Sequence, residues 1–412
     1  MRKRRRRLVM AAGGAAALGA ATLVWRYAPE HGLSNPCHGL LPPALAGHEA
    51  VRAAWEGVDP AHVWDCHAHL VGTGDSGGGA WLNPDLHSLA HPVEFARRLV
   101  ILNASCAQDA PGRVDESYVE RMHDLVEGMR PGYKVVLLAF DRHYAMDGRP
   151  VPERTMLYVP NEYASAVVRR YPQYFEWAAS IHPYRKDCVA ALEQARAGGA
   201  RAVKWLPAAM GIDPSSSRCD PFYSALARLD VPLITHGGLE LAVRVGDFQH
   251  LGNPLLLRRA LDHGVRVVVA HCATAGSDRD LDRGAGGPHV ESFALFARMM
   301  DDPQYERRLF GDLSAVTQIN RADPALARLI ERTEWHPRLL NGSDYPLPGI
   351  MPLYSIRKLA SLRVIDPALA PVLAEIHRHN PLLFDFVLKR HLRSAGKRLA
   401  PMVFETRAFF AP

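Results

Sequence analysis

The chain has no net charge outside its first seven residues. Arg2, Lys3, Arg4, Arg5, Arg6 and Arg7 supply six positive charges and the whole chain carries +6, so residues 8–412 are formally neutral. A neutral body has no basic surface for a polyanion, which excludes nucleic acid as a partner. The six cysteines (Cys37, Cys66, Cys106, Cys188, Cys219 and Cys272) include no CxxC pair, so a structural zinc knot lacks its donors. Outside the cytosol they could form disulfides, but their spacing leaves the pairing open. Cys66 and Cys272 sit in or beside apolar runs and read as small core residues. The glycine-rich stretch "GTGDSGGG" is followed by no Lys-Ser/Thr, so it is no phosphate cradle. It reads as a flexible loop carrying Asp75. Beyond the leader there is no repeat or low-complexity tract.

The basic stub precedes "LVMAAGGAAALGAATLVW", residues 8–25, which carry no charge. A basic stub before an apolar run is the layout of an export signal or an N-terminal membrane anchor, so residues 1–26 are assigned that role. The arginine run loosely resembles a twin-arginine signal without that motif's polar residue and continuation. With the arginines kept inside, the body is expected in the periplasm or another extracytoplasmic space, touching membrane only through this segment. No small-residue cleavage site stands out, which favours an uncleaved anchor. Residues 27–60 are rich in Pro and Gly and read as linker and lead-in, with a short helical patch at "GHEAVRAAWEG".

Short apolar runs then recur. They are "HVWDC" (62–66), "RLVILNA" (98–104), "KVVLLAF" (134–140), "FEWAASI" (175–181), "RAVKWL" (201–206), "VPLITH" (231–236), "VRVVVAH" (265–271), "LFGDLSA" (309–315) and "RLLNGSD" (338–344). Continuous Val/Ile/Leu runs mark strands buried on both faces. Helix-like stretches lie between them, such as "SYVERMHDLVEGMR", "EYASAVVRRYPQ" and "DCVAALEQARAGGA". "DPFYSALARLD" and "NPLLLRRALDHG" open on an expected Asp or Asn cap. This alternation predicts an α/β fold, a (β/α)8 TIM barrel over 61–392 with a C-terminal extension at 393–412. Nine candidates for eight places means that one run is an extra.

Polar residues at the strand ends carry the chemistry. "DCHAH" sets His67 and His69 two apart, on one side of a strand. Lys204 lies in "VKWLP", His236 in "ITHGG", His271 in "VVAHC" and Asp344 in "NGSDYP". Barrel active sites form at the C-terminal face, where such ends converge. Imidazoles and carboxylates suit Zn²⁺ or a similar divalent ion, which lowers the pKa of bound water from about 16 towards about 7. A lone HxH is more often chance; three further strand-end donors weigh against that. Alone, His236 reads as a core histidine and His271 or Asp344 as a helix cap.

In this order the motifs resemble the amidohydrolase superfamily, and most of all its amidohydrolase-related branch, which includes aminocarboxymuconate-semialdehyde decarboxylase. "SIHPYR" and "HRHNPLLFDF" are similar to that branch too, so the likeness spans roughly residues 60–390. The resemblance implies that His67 and His69 are the first-strand metal pair and His236 the fifth-strand ligand. His271 corresponds to the sixth-strand histidine, ligating a second ion or contacting substrate. Asp344 corresponds to the aspartate that binds metal and shuttles a proton. Lys204 matches the lysine whose carboxylated form bridges two ions; unmodified, it implies a single ion and a contact to a substrate carboxylate. One or two ions are therefore expected.

Four residues are candidates for substrate binding. Arg142 and His143 follow a strand in "DRHY". Arg185 could clamp an anion, and His182 either lines the pocket or bonds backbone as a structural residue. His87 and His91 read as surface residues. The expected activity is attack of metal-bound hydroxide on an ester, lactone or amide carbonyl of a small molecule. Non-oxidative decarboxylation of an unsaturated acid is the alternative, and a non-catalytic metal-binding barrel is the weakest reading. Self-association is left open.

Overall fold

The computed structural model describes residues 30–411, so the leader assigned to 1–26 lies outside the described residues. Eight parallel strands form the barrel: β1 (Trp64–His69), β2 (Lys134–Leu138), β3 (Phe175–Ala178), β4 (Val203–Trp205), β5 (Leu233–His236), β6 (Val267–Ala270), β7 (Leu309–Asp312) and β8 (Leu339–Leu340). Neighbours pair in register, for example Val135 with Phe175 and Leu233 with Val267. Two single bridges close the ring. Ala179 meets Val203 between β3 and β4, and Ala68 meets Tyr345 between β1 and the end of β8.

Side chains alternate between two compartments, as a strand's period of two requires. Trp64, Cys66, Val136, Ile234, Val268 and Leu340 belong to one apolar cluster inside the barrel. Val135, Leu137, Leu233, Val267 and Val269 join the larger cluster under the surrounding helices. Residues 393–411 are not loose. They end in a helical turn, Arg407–Phe410, whose Phe410 packs with the interior cluster. Cys66 and Cys272 are buried free thiols, as expected of small core residues.

The extra candidate strand, "RLVILNA", is helix. It lies within α1 (Pro92–Ser105), which has proline in its first turn and closes on Cys106 in the left-handed region at φ 53°. Fourteen residues with no turn signal among them make a helix rather than a strand, and Leu99 and Val100 are each 44% exposed. A short apolar run cannot by itself tell the two apart. Asn253 caps as expected, its Oδ1 accepting from Leu255 N at 3.0 Å. Asp220 does not cap; it is the first residue of its helix and pairs through both oxygens with Arg259 at 2.6 and 2.7 Å.

The lead-in is anchored. A disulfide joins Cys37 to Cys106, and the Asn35 side chain donates to Ala104 O at 3.2 Å. A later helix, α2 (Ala370–His379), receives the same segment, with His38 N donating to Arg378 O at 3.2 Å. Among the described residues no helix is long and apolar enough to cross a membrane.

Candidate metal centre

The strand register delivers the site. Ala202, Ile234 and Phe310 face or pack against the barrel interior, so Lys204, His236 and Asp312, two residues on, point the same way at the C-terminal end. β1 needs a further device. Its pairing with β2 slips between Asp65 and Ala68. Before the slip Trp64 and Cys66 face inward, and after it Ala68 packs outward. The bulge thereby re-aims His67 and His69 into the mouth. Asp65 holds this turn of chain, Oδ1 accepting from His67 N at 3.0 Å and Ser343 N at 2.8 Å.

Three donor atoms converge. His67 Nε2 lies 3.3 Å from His69 Nε2, and Asp344 Oδ1 lies 3.4 Å from the first and 3.2 Å from the second. Four ligands at about 2.0–2.1 Å around zinc have edges of about 3.3–3.4 Å, so this near-equilateral triangle fits one face of that tetrahedron. The protonation logic agrees. His67 Nδ1 bonds Asp312 Oδ2 at 2.9 Å, which places the ring proton there and leaves the Nε2 lone pair facing the cluster. Asp312 also accepts from His271 N at 2.8 Å and Ser314 N at 3.0 Å.

The electrostatics suit a cation. Burial acts to raise the Asp344 carboxyl, yet His67, His69 and Lys204 hold it far below the usual carboxylate range. Burial lowers His69 to about 4 against the pull of Asp344, so the ring is neutral and able to ligate at physiological pH. Lys204 is buried and its Nζ lies 3.0 Å from His67 Nε2. It is the donor in a set of acceptors. Burial lowers its pKa against the carboxylates of Asp312, Asp344 and Glu240.

His236 and His271 are built differently. Arg321, 6% exposed, places Nη1 3.1 Å from His271 Nδ1, and a guanidinium can only donate. A neutral His271 therefore carries its proton on Nε2, 3.1 Å from His236 Nδ1. Glu240 Oε2 lies 3.2 Å from that same Nδ1, and burial raises the Glu240 carboxyl. His236 Nε2 is left buried without a hydrogen-bond partner. Burial, followed by the charge of Arg321, pushes both rings well below the ordinary imidazole range. The backbone is strained here as well: His271, Cys272 and Ala273 have φ of 41°, 50° and 52°, and Asp344 has 64°.

Of the proposed substrate contacts, His143 lines a cleft of about 170 Å³ with Arg154, Arg244 and Phe248, its Nδ1 3.0 Å from Ala209 O. Arg142 stacks on the Tyr158 ring at 3.5 Å. Arg185 bridges Asp141 and Asp187 at 3.1 and 2.7 Å. His182 spends both nitrogens on backbone, with Met210 O at 2.9 Å and Tyr184 N at 3.1 Å. Asp75 accepts from Val114 N and Asp115 N at the start of a helix, so its loop is tied down. His91 is paired with Asp85 at 3.3 Å and His87 is exposed. Asp312, Ser314, Glu240 and Arg321 went unnoticed in the sequence. The signal for Asp312 was present, since it ends "LFGD" as His236 ends its strand.

Such a barrel, with metal-type donors gathered at the carboxyl ends of its strands, is an enzyme scaffold with its active centre at the mouth. The chain belongs to the amidohydrolase family, whose model, described as Amidohydrolase, matches residues 64–371 and so includes all eight strands. Members are generally metal-dependent, and the donor set here fits a divalent ion. No curated protein matches the chain. Similar solved structures include an uncharacterised TIM-barrel protein from Bordetella bronchiseptica, 16% identical at TM-score 0.44, covering 73% of this chain and 94% of its own. A 4-oxalomesaconate hydratase from Rhodopseudomonas palustris is 15% identical at TM-score 0.44, covering 84% and 95%. A 5-carboxyvanillate decarboxylase from Sphingomonas paucimobilis is 10% identical at TM-score 0.42, covering 73% and 98%.

Proposed function

We propose that the chain is a metal-dependent hydrolase that cleaves an ester, lactone or amide of a small molecule. The observation that carries this is the triangle of His67 Nε2, His69 Nε2 and Asp344 Oδ1, three metal-type ligand atoms facing one another at 3.2–3.4 Å. A divalent ion held there supplies a Lewis acid that makes water a nucleophile near neutral pH. Asp344, ionised and touching both histidines, accepts the proton of the attacking water and passes it to the leaving group. Arg321 keeps the proton of His271 on Nε2, where it faces His236 Nδ1 at 3.1 Å; a substrate carbonyl oxygen receives it only by replacing that acceptor. The same guanidinium argues for a single ion, because a positive charge in contact with His271 opposes a second cation there. Lys204 is then an unmodified amine, and a carboxylated bridge is not needed.

Decarboxylation of an unsaturated acid is the second reading, favoured by one feature. Arg321 is a buried cation whose Nε has no partner, as a site for a substrate carboxylate would be. Water-dependent cleavage of esters, lactones and amides by the zinc-loaded protein, with no carbon dioxide from unsaturated acids, supports hydrolysis; the reverse result supports decarboxylation. The Cys37–Cys106 bridge favours an oxidising, extracytoplasmic compartment.

A further inference from the structure

Away from the barrel mouth, a second set of metal-type donors joins the lead-in to α2. His38 comes from the lead-in, and Glu375 and His379 lie one turn apart on α2. One ligand atom from each lies within 4.8 Å of the other two. His379 Nδ1 is 3.1 Å from Gly39 O, a carbonyl that can only accept, so the ring proton sits on Nδ1. Nε2 is thereby left as a lone pair, and it faces Glu375 Oε1 at 3.6 Å. Two acceptors opposed at that distance share no hydrogen bond. They are, however, spaced close to the edge of about 3.3 Å expected of two ligands on one zinc ion.

The carboxylate is prepared in the same sense. Arg378 Nη1 holds Glu375 Oε2 at 3.3 Å and leaves Oε1 for the site. The His38 ring meets that of His379 at 4.9 Å between centroids, edge to face. The carbonyl that orients His379 belongs to the residue after His38, so the lead-in supplies both a ligand and the group that sets the tautomer of another.

We propose that His38, Glu375 and His379 form a second, structural divalent-cation site, of zinc-like preference, that pins the lead-in to α2. Two imidazoles and one carboxylate oxygen suit Zn²⁺, Co²⁺ or Ni²⁺; Mg²⁺ and Ca²⁺ call for more oxygen ligands. Three protein ligands leave one position for water, so binding is weaker than at a closed four-ligand structural site. The Cys37–Cys106 bridge secures the same segment from the other side, and the ion would add a second fastening one residue away.

The test uses the full chain with Zn²⁺ as the only ligand. Zinc bound per chain is measured by equilibrium dialysis for the wild type, His38→Ala, His379→Ala and Asp344→Ala. His38→Ala and His379→Ala are each expected to bind one ion fewer than the wild type, or to bind it at least tenfold more weakly. Both are expected to keep wild-type turnover, while Asp344→Ala loses a different ion together with activity. Zinc is also expected to slow amide exchange across residues 37–41 in the wild type and not in His379→Ala. If both histidine variants bind as much zinc, as tightly, as the wild type, the proposal is wrong. An unchanged zinc count in Asp344→Ala would instead count against the ion at the barrel mouth, so the two failures are distinguishable.

Discussion

The two halves of the barrel mouth use the same residue type for opposite purposes. In the half from β1 and β8, His67, His69 and Asp344 bring metal-type ligand atoms within 3.2–3.4 Å of one another, and the donor in contact is Lys204, whose pKa burial lowers. In the half from β5 and β6, His236 and His271 are linked donor to acceptor, starting from the fixed cation of Arg321. In the proposed function, what separates a ligand from a proton-handling group is the partner on the other ring nitrogen. A carboxylate on Nδ1 of His67 frees its Nε2 for a metal, whereas a guanidinium on Nδ1 of His271 keeps a proton on its Nε2.

Removing a ligand should break this contrast most severely. Asp344→Asn deletes both a ligand charge and the proton acceptor, and turnover is expected to fall by at least about a thousandfold with the barrel still folded by circular dichroism. Retained activity would show that the carboxylate is not needed. Asp312→Asn tests the partner on the other nitrogen. Zinc affinity is expected to weaken roughly 10- to 100-fold, with much of the activity returning at high zinc.

Arg321→Gln addresses the second half. The zinc count at the mouth is expected to stay the same while kcat falls by roughly 10- to 100-fold, the scale of one lost charge-assisted hydrogen bond. A gain of one ion in this variant would show that the guanidinium had been excluding it. The smallest effect concerns a histidine outside both halves. Burial lowers His182 to about 3, so as pH falls below about 6.5 the unfolded chain takes up this proton before the folded one does. Stability is therefore lost as pH falls from about 6.5 towards 3. His182→Gln should reduce the loss between pH 7 and pH 5 by about 2 kcal/mol, read from urea midpoints.

Much of this arrangement was legible in the sequence because both-face burial writes strands as Val/Ile/Leu runs, and eight of the nine runs are barrel strands. The ninth became α1 because a seven-residue apolar run is short enough to sit on either element, and the length of the surrounding stretch decided it. The strand-end residues Lys204, His236 and Asp344 could be named since the register carries them to one face. Asp312 obeys the same register, and "LFGD" carries the same signal. Arg321 and Glu240 were out of reach: each lies in a connecting segment, and only tertiary packing brings it to a strand-end histidine. The bulge in β1 was equally hidden, since plain alternation would have put His67 on the opposite side from Cys66. Nor could six unspaced cysteines announce the pairing of Cys37 with Cys106.

The ion at the mouth is tested most directly by X-ray absorption on the zinc-loaded His379→Ala protein, beside His67→Ala/His379→Ala. Removing His379 takes away the proposed surface site, so that the remaining signal is to be read from the barrel. One zinc per chain, with imidazole nitrogens and a carboxylate oxygen at about 2.0–2.1 Å and lost with His67, is the expected result. An identical zinc content and spectrum in the two proteins would contradict the assignment.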